Sequence, residues 1–90
     1  MTAIEMYTRP GCGYCRHAKQ LLSSKGLPFV EYDVYQNPQY GEALRRRTQQ
    51  RRYPQLFINK VSVGGFDELL ALEAQNRLPR VNAAAAVRAK

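Results

Sequence analysis

Tryptophan is absent from the 90 residues, cysteine occurs twice and histidine once. Two cysteines are too few for the disulfide-stapled scaffold of a small secreted domain. One Cys-x-x-Cys with one adjacent histidine does not complete the four ligands of a tetrahedral zinc site in a monomer. No apolar run approaches the roughly 20 residues that span a bilayer. The opening Met1-Thr2-Ala3-Ile4-Glu5 lacks the basic region and long apolar stretch of a secretory signal. These absences predict a soluble protein of a reducing cytoplasm, with no membrane partner. Acidic residues are also scarce: 7 Asp and Glu against 14 Lys and Arg, a net charge of +7. Such an excess attracts anions without naming them. Five of the bases cluster at Arg45, Arg46, Arg47, Arg51 and Arg52. Only Tyr53 is near to stack on a base, and no nucleic-acid motif is present, so a solvated helix face is expected there and no nucleic-acid partner.

The apolar fraction, 44%, is that of a globular chain and too high for a disordered one. Ninety residues make one domain, near the lower limit of what one core supports. Its two cysteines stand together as Cys12-Gly13-Tyr14-Cys15, after the apolar run Ile4-Glu5-Met6-Tyr7 and at the opening of a helical pattern. A helix N-terminus offers unpaired N–H groups and a partial positive charge. A thiol placed there is pushed toward thiolate, the nucleophilic form, and a second thiol two residues on can attack any mixed disulfide the first one makes. In a small βαβ chain this spacing reads as a thiol–disulfide redox site.

The periodicity predicts a strand over residues 3–7 and a loop at Thr8-Arg9-Pro10-Gly11. A helix follows from Cys12, with Tyr14, Ala18, Leu21, Leu22 and Lys25 on one face and a stop at Gly26. A second strand covers residues 29–34. Asn37-Pro38 starts a second helix, with Asn as cap and Pro in the first turn, and with Tyr40, Ala43, Leu44 and Arg47 facing inward or flanking its buried stripe. Residues 55–58 form a third strand, joined by Asn59-Lys60 to a fourth at 61–63. Gly64-Gly65 ends the hairpin, and Asp67 caps a third helix carrying Leu69, Leu70 and Leu72. Pro79 closes the domain at residues 1–79. Residues 80–90, with Ala83 to Ala86, form a terminal helix that frays or a tail. The order βαβ, α, ββ, α predicts an α/β fold of thioredoxin-like type, a four-stranded mixed sheet covered by helices, with a right-handed parallel crossover in its first half.

Four segments, in order and at matching spacing, resemble the glutaredoxins, and closely the short bacterial dithiol type. Tyr7-Thr8-Arg9 with Cys12-Gly13-Tyr14-Cys15 is similar to the family's Y-[ST]-K-x-x-C-P-Y-C. Leu21 to Gly26 continues it, Tyr53-Pro54-Gln55-Leu56-Phe57-Ile58 resembles T-V-P-x-[IV]-F-I, and Gly64-Gly65-Phe66-Asp67-Glu68-Leu69 resembles G-G-x-[DST]-D-L. The resemblance covers about residues 3–78. It implies a glutathione-dependent oxidoreductase that reduces protein disulfides and glutathione mixed disulfides, with glutathione as reducing co-substrate and a monomeric state. Cys12 is then the nucleophile and Cys15 the resolving thiol, or a bystander where a second glutathione resolves. Arg9 matches a Lys that pairs with the glycine carboxylate of glutathione, a role that suits a guanidinium. Tyr14 offers a flat face to the peptide. A cis Tyr53–Pro54 bond turns the backbone of Tyr53 toward the cysteine of glutathione. Gly65 and Phe66 bring backbone N–H groups to the γ-glutamyl carboxylate, and Asp67 accepts from its ammonium.

Three positions depart from the pattern. Gly13 replaces Pro, a change that in this family accompanies dimers sharing a [2Fe–2S] cluster ligated by Cys12 of each chain and two glutathiones; that is the alternative function and cofactor. Arg51-Arg52-Tyr53 puts bulk and charge where a Thr-Val segment is usual. Gly41 stands where a long polar side chain is expected to reach glutathione, so that a carboxylate contact is either lost or supplied instead by Arg51 or Arg52. The absence of Trp and the Gly-Gly-Phe-Asp segment argue against a thioredoxin proper. His17, the one histidine, is expected to be exposed.

Overall fold

The computed structural model describes residues 3–79. Its elements run β1 (Ile4–Thr8), α1 (Gly13–Ser24), β2 (Val30–Asp33), α2 (Pro38–Arg47), β3 (Gln55–Ile58), β4 (Val61–Gly64) and α3 (Phe66–Ala74). The sheet order is β2-β1-β3-β4. β1 and β2 are parallel, with Tyr7 opposite Tyr32, whereas β1–β3 and β3–β4 are antiparallel. This is the mixed four-stranded thioredoxin-like sheet that the element order predicts. The expected tail at 80–90 lies outside the described residues.

Alternation along β1 divides the core. Ile4 and Met6 face one side, where they meet Ala18 and Leu22 of α1, Leu27, Leu56 and Leu69 of α3. Tyr7 faces the other side, with Leu44 of α2 and Phe57, edged by Tyr32, Val34, Tyr40 and Tyr53. Period-two alternation puts successive residues of a strand on opposite faces, so one central strand seeds both layers.

Helix α1 buries Cys15, Ala18 and Leu22, at spacings of three and four. Tyr14 is not on that stripe: it is 61% exposed. One residue of offset is about 100° around the helix, enough to carry Tyr14 from the core to solvent. Helix α2 begins as expected, with Asn37 at the cap position and Pro38 in the first turn, but the Asn37 side chain makes no capping bond. Asp33 orders the approach instead, its Oδ1 accepting from the N–H groups of Tyr35 and Gln36.

The hairpin turn holds Asn59 and Lys60 at positive φ, 51° and 72°. That is the backbone of a type I′ turn, whose twist matches the flanking strands. Asn59 is also tied to β1: its N–H donates to Ala3 O at 2.8 Å, and its Oδ1 accepts from Ala3 N–H at 2.9 Å.

Helix α3 starts earlier than the expected Asp67 cap. Gly65 is the N-cap, and Asp67 and Glu68 lie in the first turn. Glu68 decides this: its Oε1 accepts from the Gly65 N–H at 2.7 Å, the carboxylate half of a capping box. Leu69 is buried, while Leu70 is 43% exposed.

Candidate active site

Three loops converge at one end of the sheet's strands: the turn from β1 into α1, the segment between α2 and β3, and the β4–α3 junction. Cys12 is the N-cap of α1, in extended backbone conformation. Its Sγ accepts from the Cys15 N–H at 3.2 Å, so the sulfur occupies the place of a capping oxygen. The same sulfur lies 3.6 Å from the carbonyl oxygen of Tyr53, to which its S–H donates. The Tyr53–Pro54 peptide bond is cis. Cys12 is partly exposed, Cys15 is buried, and both are free thiols. Burial, with the hydrogen bond to Cys12 next in size, pushes the Cys15 thiol up to about 12.

A groove of about 440 Å³ runs beside this pair. Six of the residues singled out from the sequence line it: Arg9, Tyr14, Tyr53, Gly65, Phe66 and Asp67. Arg51 and Arg52 complete the wall. Pro54 is fully buried behind the groove and contributes shape rather than surface. The rings of Tyr14 and Phe66 stack at 5.8 Å, making an aromatic ledge on the groove, with exposed His17 tilted against Phe66 at 6.0 Å. The Arg9 guanidinium sits 5.7 Å from the centroid of the Tyr53 ring. At the α3 end the Gly65 N–H is engaged by Glu68. The N–H groups of Phe66 and Asp67, in the first helical turn, have no partner within the helix by position.

Gly41 does not face this groove. A Cβ there would meet the Val34 Cβ and the Arg45 Nη1, both at 3.9 Å, in the contact between α2 and the end of β2. Gly13 is open: a Cβ would meet nothing within 4 Å. Among the described residues no group of three or more His, Cys, Asp or Glu side chains is placed to hold a metal ion. For a [2Fe–2S] cluster this chain offers Cys12 as its one accessible thiol, since Cys15 is 2% exposed. The other ligands would all come from outside the chain.

Three supporting residues were not foreseen as such. Arg47 leaves the exposed arginine cluster to lie beneath α2, its Nη2 2.9 Å from Glu5 Oε1 and its Nη1 3.0 Å from the Tyr7 hydroxyl. Its guanidinium stands 3.9 Å from the centroid of the Phe57 ring. The hydrogen bond from Arg47 holds the Glu5 carboxyl below its ordinary range. Gln55, wholly buried, donates from Nε2 to Arg52 O at 2.8 Å and so fixes the backbone ahead of Pro54. Glu68, held low chiefly by the Gly65 N–H, also pairs with Arg52 at 3.3 Å. Arg47 does have a sequence signal, its place on the α2 stripe, and Glu68 has one in the Gly-x-x-Glu spacing of a helix start.

A helix-capping dithiol beside a cis-proline loop, on a four-stranded mixed sheet, defines a thiol–disulfide oxidoreductase of thioredoxin-like fold. The glutaredoxin family model matches residues 4–63. Glutaredoxin 3 of Escherichia coli K12 is 41% identical over 78 residues, covering 87% of this chain and 94% of its own. The solution structure of glutaredoxin from Brucella melitensis is 43% identical, covers 86% of this chain and 84% of its own, and superposes with a TM-score of 0.72. A buckwheat glutaredoxin–glutathione complex is 25% identical with a TM-score of 0.78, over 86% of this chain and 73% of its own. The chain belongs to the glutaredoxin family.

Proposed function

We propose that the protein is a glutathione-dependent reductase of protein disulfides and glutathione mixed disulfides. One observation carries this reading: a groove lined by a cation at Arg9, by Tyr53, whose carbonyl lies 3.6 Å from the Cys12 sulfur, and by the first turn of α3. Glutathione has an anionic group at each end and a peptide backbone between them. Arg9 suits its glycine carboxylate. The Tyr53 backbone pairs with its cysteine in strand fashion. The N–H groups of Phe66 and Asp67 receive the γ-glutamyl carboxylate at the positive end of α3, and the Asp67 carboxylate takes the neighbouring ammonium. The buckwheat relative forms a complex with glutathione.

In the first step the Cys12 sulfur attacks the glutathione sulfur of a mixed disulfide. The old S–S bond breaks, the target leaves as a thiolate that takes a proton from water, and Cys12 becomes glutathionylated. A second glutathione thiolate then attacks the glutathione sulfur on Cys12, releasing glutathione disulfide and restoring Cys12. For a protein disulfide, Cys15 attacks Cys12 in the mixed disulfide and closes an internal disulfide, which two glutathiones reduce. The raised Cys15 thiol disfavours its attack and leaves glutathionylated targets to the first route.

Amide shifts on adding glutathione to the Cys15→Ser protein test the groove. Changes are expected at Arg9, Tyr53, Phe66 and Asp67. Changes confined to α2 and the far side of the sheet would overturn the assignment.

A further inference from the structure

The groove carries more positive charge than glutathione can use. Its lining holds three guanidinium groups, Arg9, Arg51 and Arg52, against one carboxylate, Asp67. Arg9 stands over Tyr53, next to Cys12. Arg52 is paired with Glu68 at the surface, its Nη2 3.3 Å and 3.4 Å from the two carboxylate oxygens. Arg51 is exposed and makes no salt bridge or side-chain hydrogen bond among the described residues. Arg45 and Arg46, exposed at the end of α2, extend the same sign of charge beyond the α2–β3 segment.

Resting on the glutathione reading above, we infer that Arg51 and Arg52 form a docking wall for an acidic segment of the polypeptide whose cysteine carries glutathione. Charge complementarity identifies the partner. A target cysteine at Cys12 must pass its flanking chain over the rim of the groove, and the α2–β3 wall of that rim is cationic. Electrostatic complementarity of this kind selects partners and speeds encounter, and salt screens it. Glu68 sets the strength of the wall, because its carboxylate occupies Arg52 while it caps α3. A nucleic acid is the less suited anion, since glutathione itself must occupy the groove that Tyr14 and Phe66 line.

The test uses three peptides of equal length, each glutathionylated on one cysteine, with Asp/Glu, Ser or Lys flanks. Turnover of each by the full chain is measured at low and high salt. The wild type should prefer the acidic over the basic peptide by roughly tenfold in kcat/KM at low salt, with the ratio falling toward one at high salt. Arg51→Ser should shrink the ratio several-fold. Glu68→Gln should enlarge it, because the amide oxygen still accepts from Gly65 N–H while Arg52 loses its counter-charge. A purely structural role for Glu68 does not produce that increase. Equal turnover of the peptides by wild type, or a ratio unmoved in both variants, overturns the docking wall and leaves the glutathione reading intact. Stronger inhibition by a single-stranded oligonucleotide than by a poly-glutamate peptide also overturns it. No turnover of any peptide overturns the glutathione reading itself, and the docking wall with it.

Discussion

Cys12 and Cys15 stand on one helical turn and have opposite environments. Cys12 caps the helix at the surface, and Cys15 is sealed beneath it at 2% exposure. A thiol pushed up to about 12 holds on the order of a thousandfold less thiolate at neutral pH than one at the ordinary 9.0. Iodoacetamide at pH 7 should therefore modify Cys12 far faster than Cys15, as read by peptide mass spectrometry. Equal rates would contradict the division of roles. Gly64 is the second residue fixed by its surroundings. Its φ is +113°, and a Cβ there would stand 2.8 Å from Glu68 Oε1 and 2.9 Å from Glu68 Cγ. Gly64→Ala should displace the carboxylate that caps α3 as well as strain the backbone. We expect a loss of about 1–3 kcal/mol in urea unfolding, the cost of holding a non-glycine residue in such a region.

At the scale of elements, strands and helices were legible where periodicity was strong. All seven fell in the expected order, and the ends that the sequence predicts lie within two residues of those observed. The misses came from side chains that act across elements, which a linear pattern does not reveal. Asp67 looked like the cap of α3, yet Glu68 captures Gly65 N–H and starts the helix earlier. Glu68→Ala should cost about 0.5–2 kcal/mol, the usual worth of a cap, and Glu68→Gln markedly less. Arg47 was legible as a stripe residue and illegible as a partner of Glu5, since 42 residues separate them. This pair ties the end of α2 to β1 with its side chains only 23% and 12% exposed. The hydrogen bonds it makes are worth about 1.5–3 kcal/mol. Because the folded Glu5 pKa is depressed, that contribution is full above its ordinary value of 4.5 and is lost as pH falls through the lower folded value. Glu5→Gln should therefore destabilise the protein at pH 7 and narrow its gap from wild type below pH 4.5, as seen in thermal unfolding against pH.

For the whole molecule, the candidate site was more legible than its supports. Residues of the dithiol, the Tyr-Pro segment and the Gly-Gly-Phe-Asp segment are far apart in sequence, and the β1–β3 and β3–β4 pairings bring them to one end of the sheet. Their motifs announced them because each is constrained by local backbone chemistry: a helix cap, a cis-proline and a glycine turn. Gly41 was misread because nothing local distinguishes a groove position on α2 from one packed against Val34. The two-layer core explains why this end of the sheet holds together in so short a chain. Leu22, wholly buried between α1 and the sheet, should cost about 2–5 kcal/mol when cut to alanine. The central claim is that Cys12 alone carries the exchange with glutathione. The direct measurement is release of glutathione from a glutathionylated peptide by wild type, Cys12→Ser and Cys15→Ser, with free glutathione as reductant. The account predicts no turnover by Cys12→Ser and substantial turnover by Cys15→Ser; activity surviving in Cys12→Ser, or lost in Cys15→Ser, would contradict it.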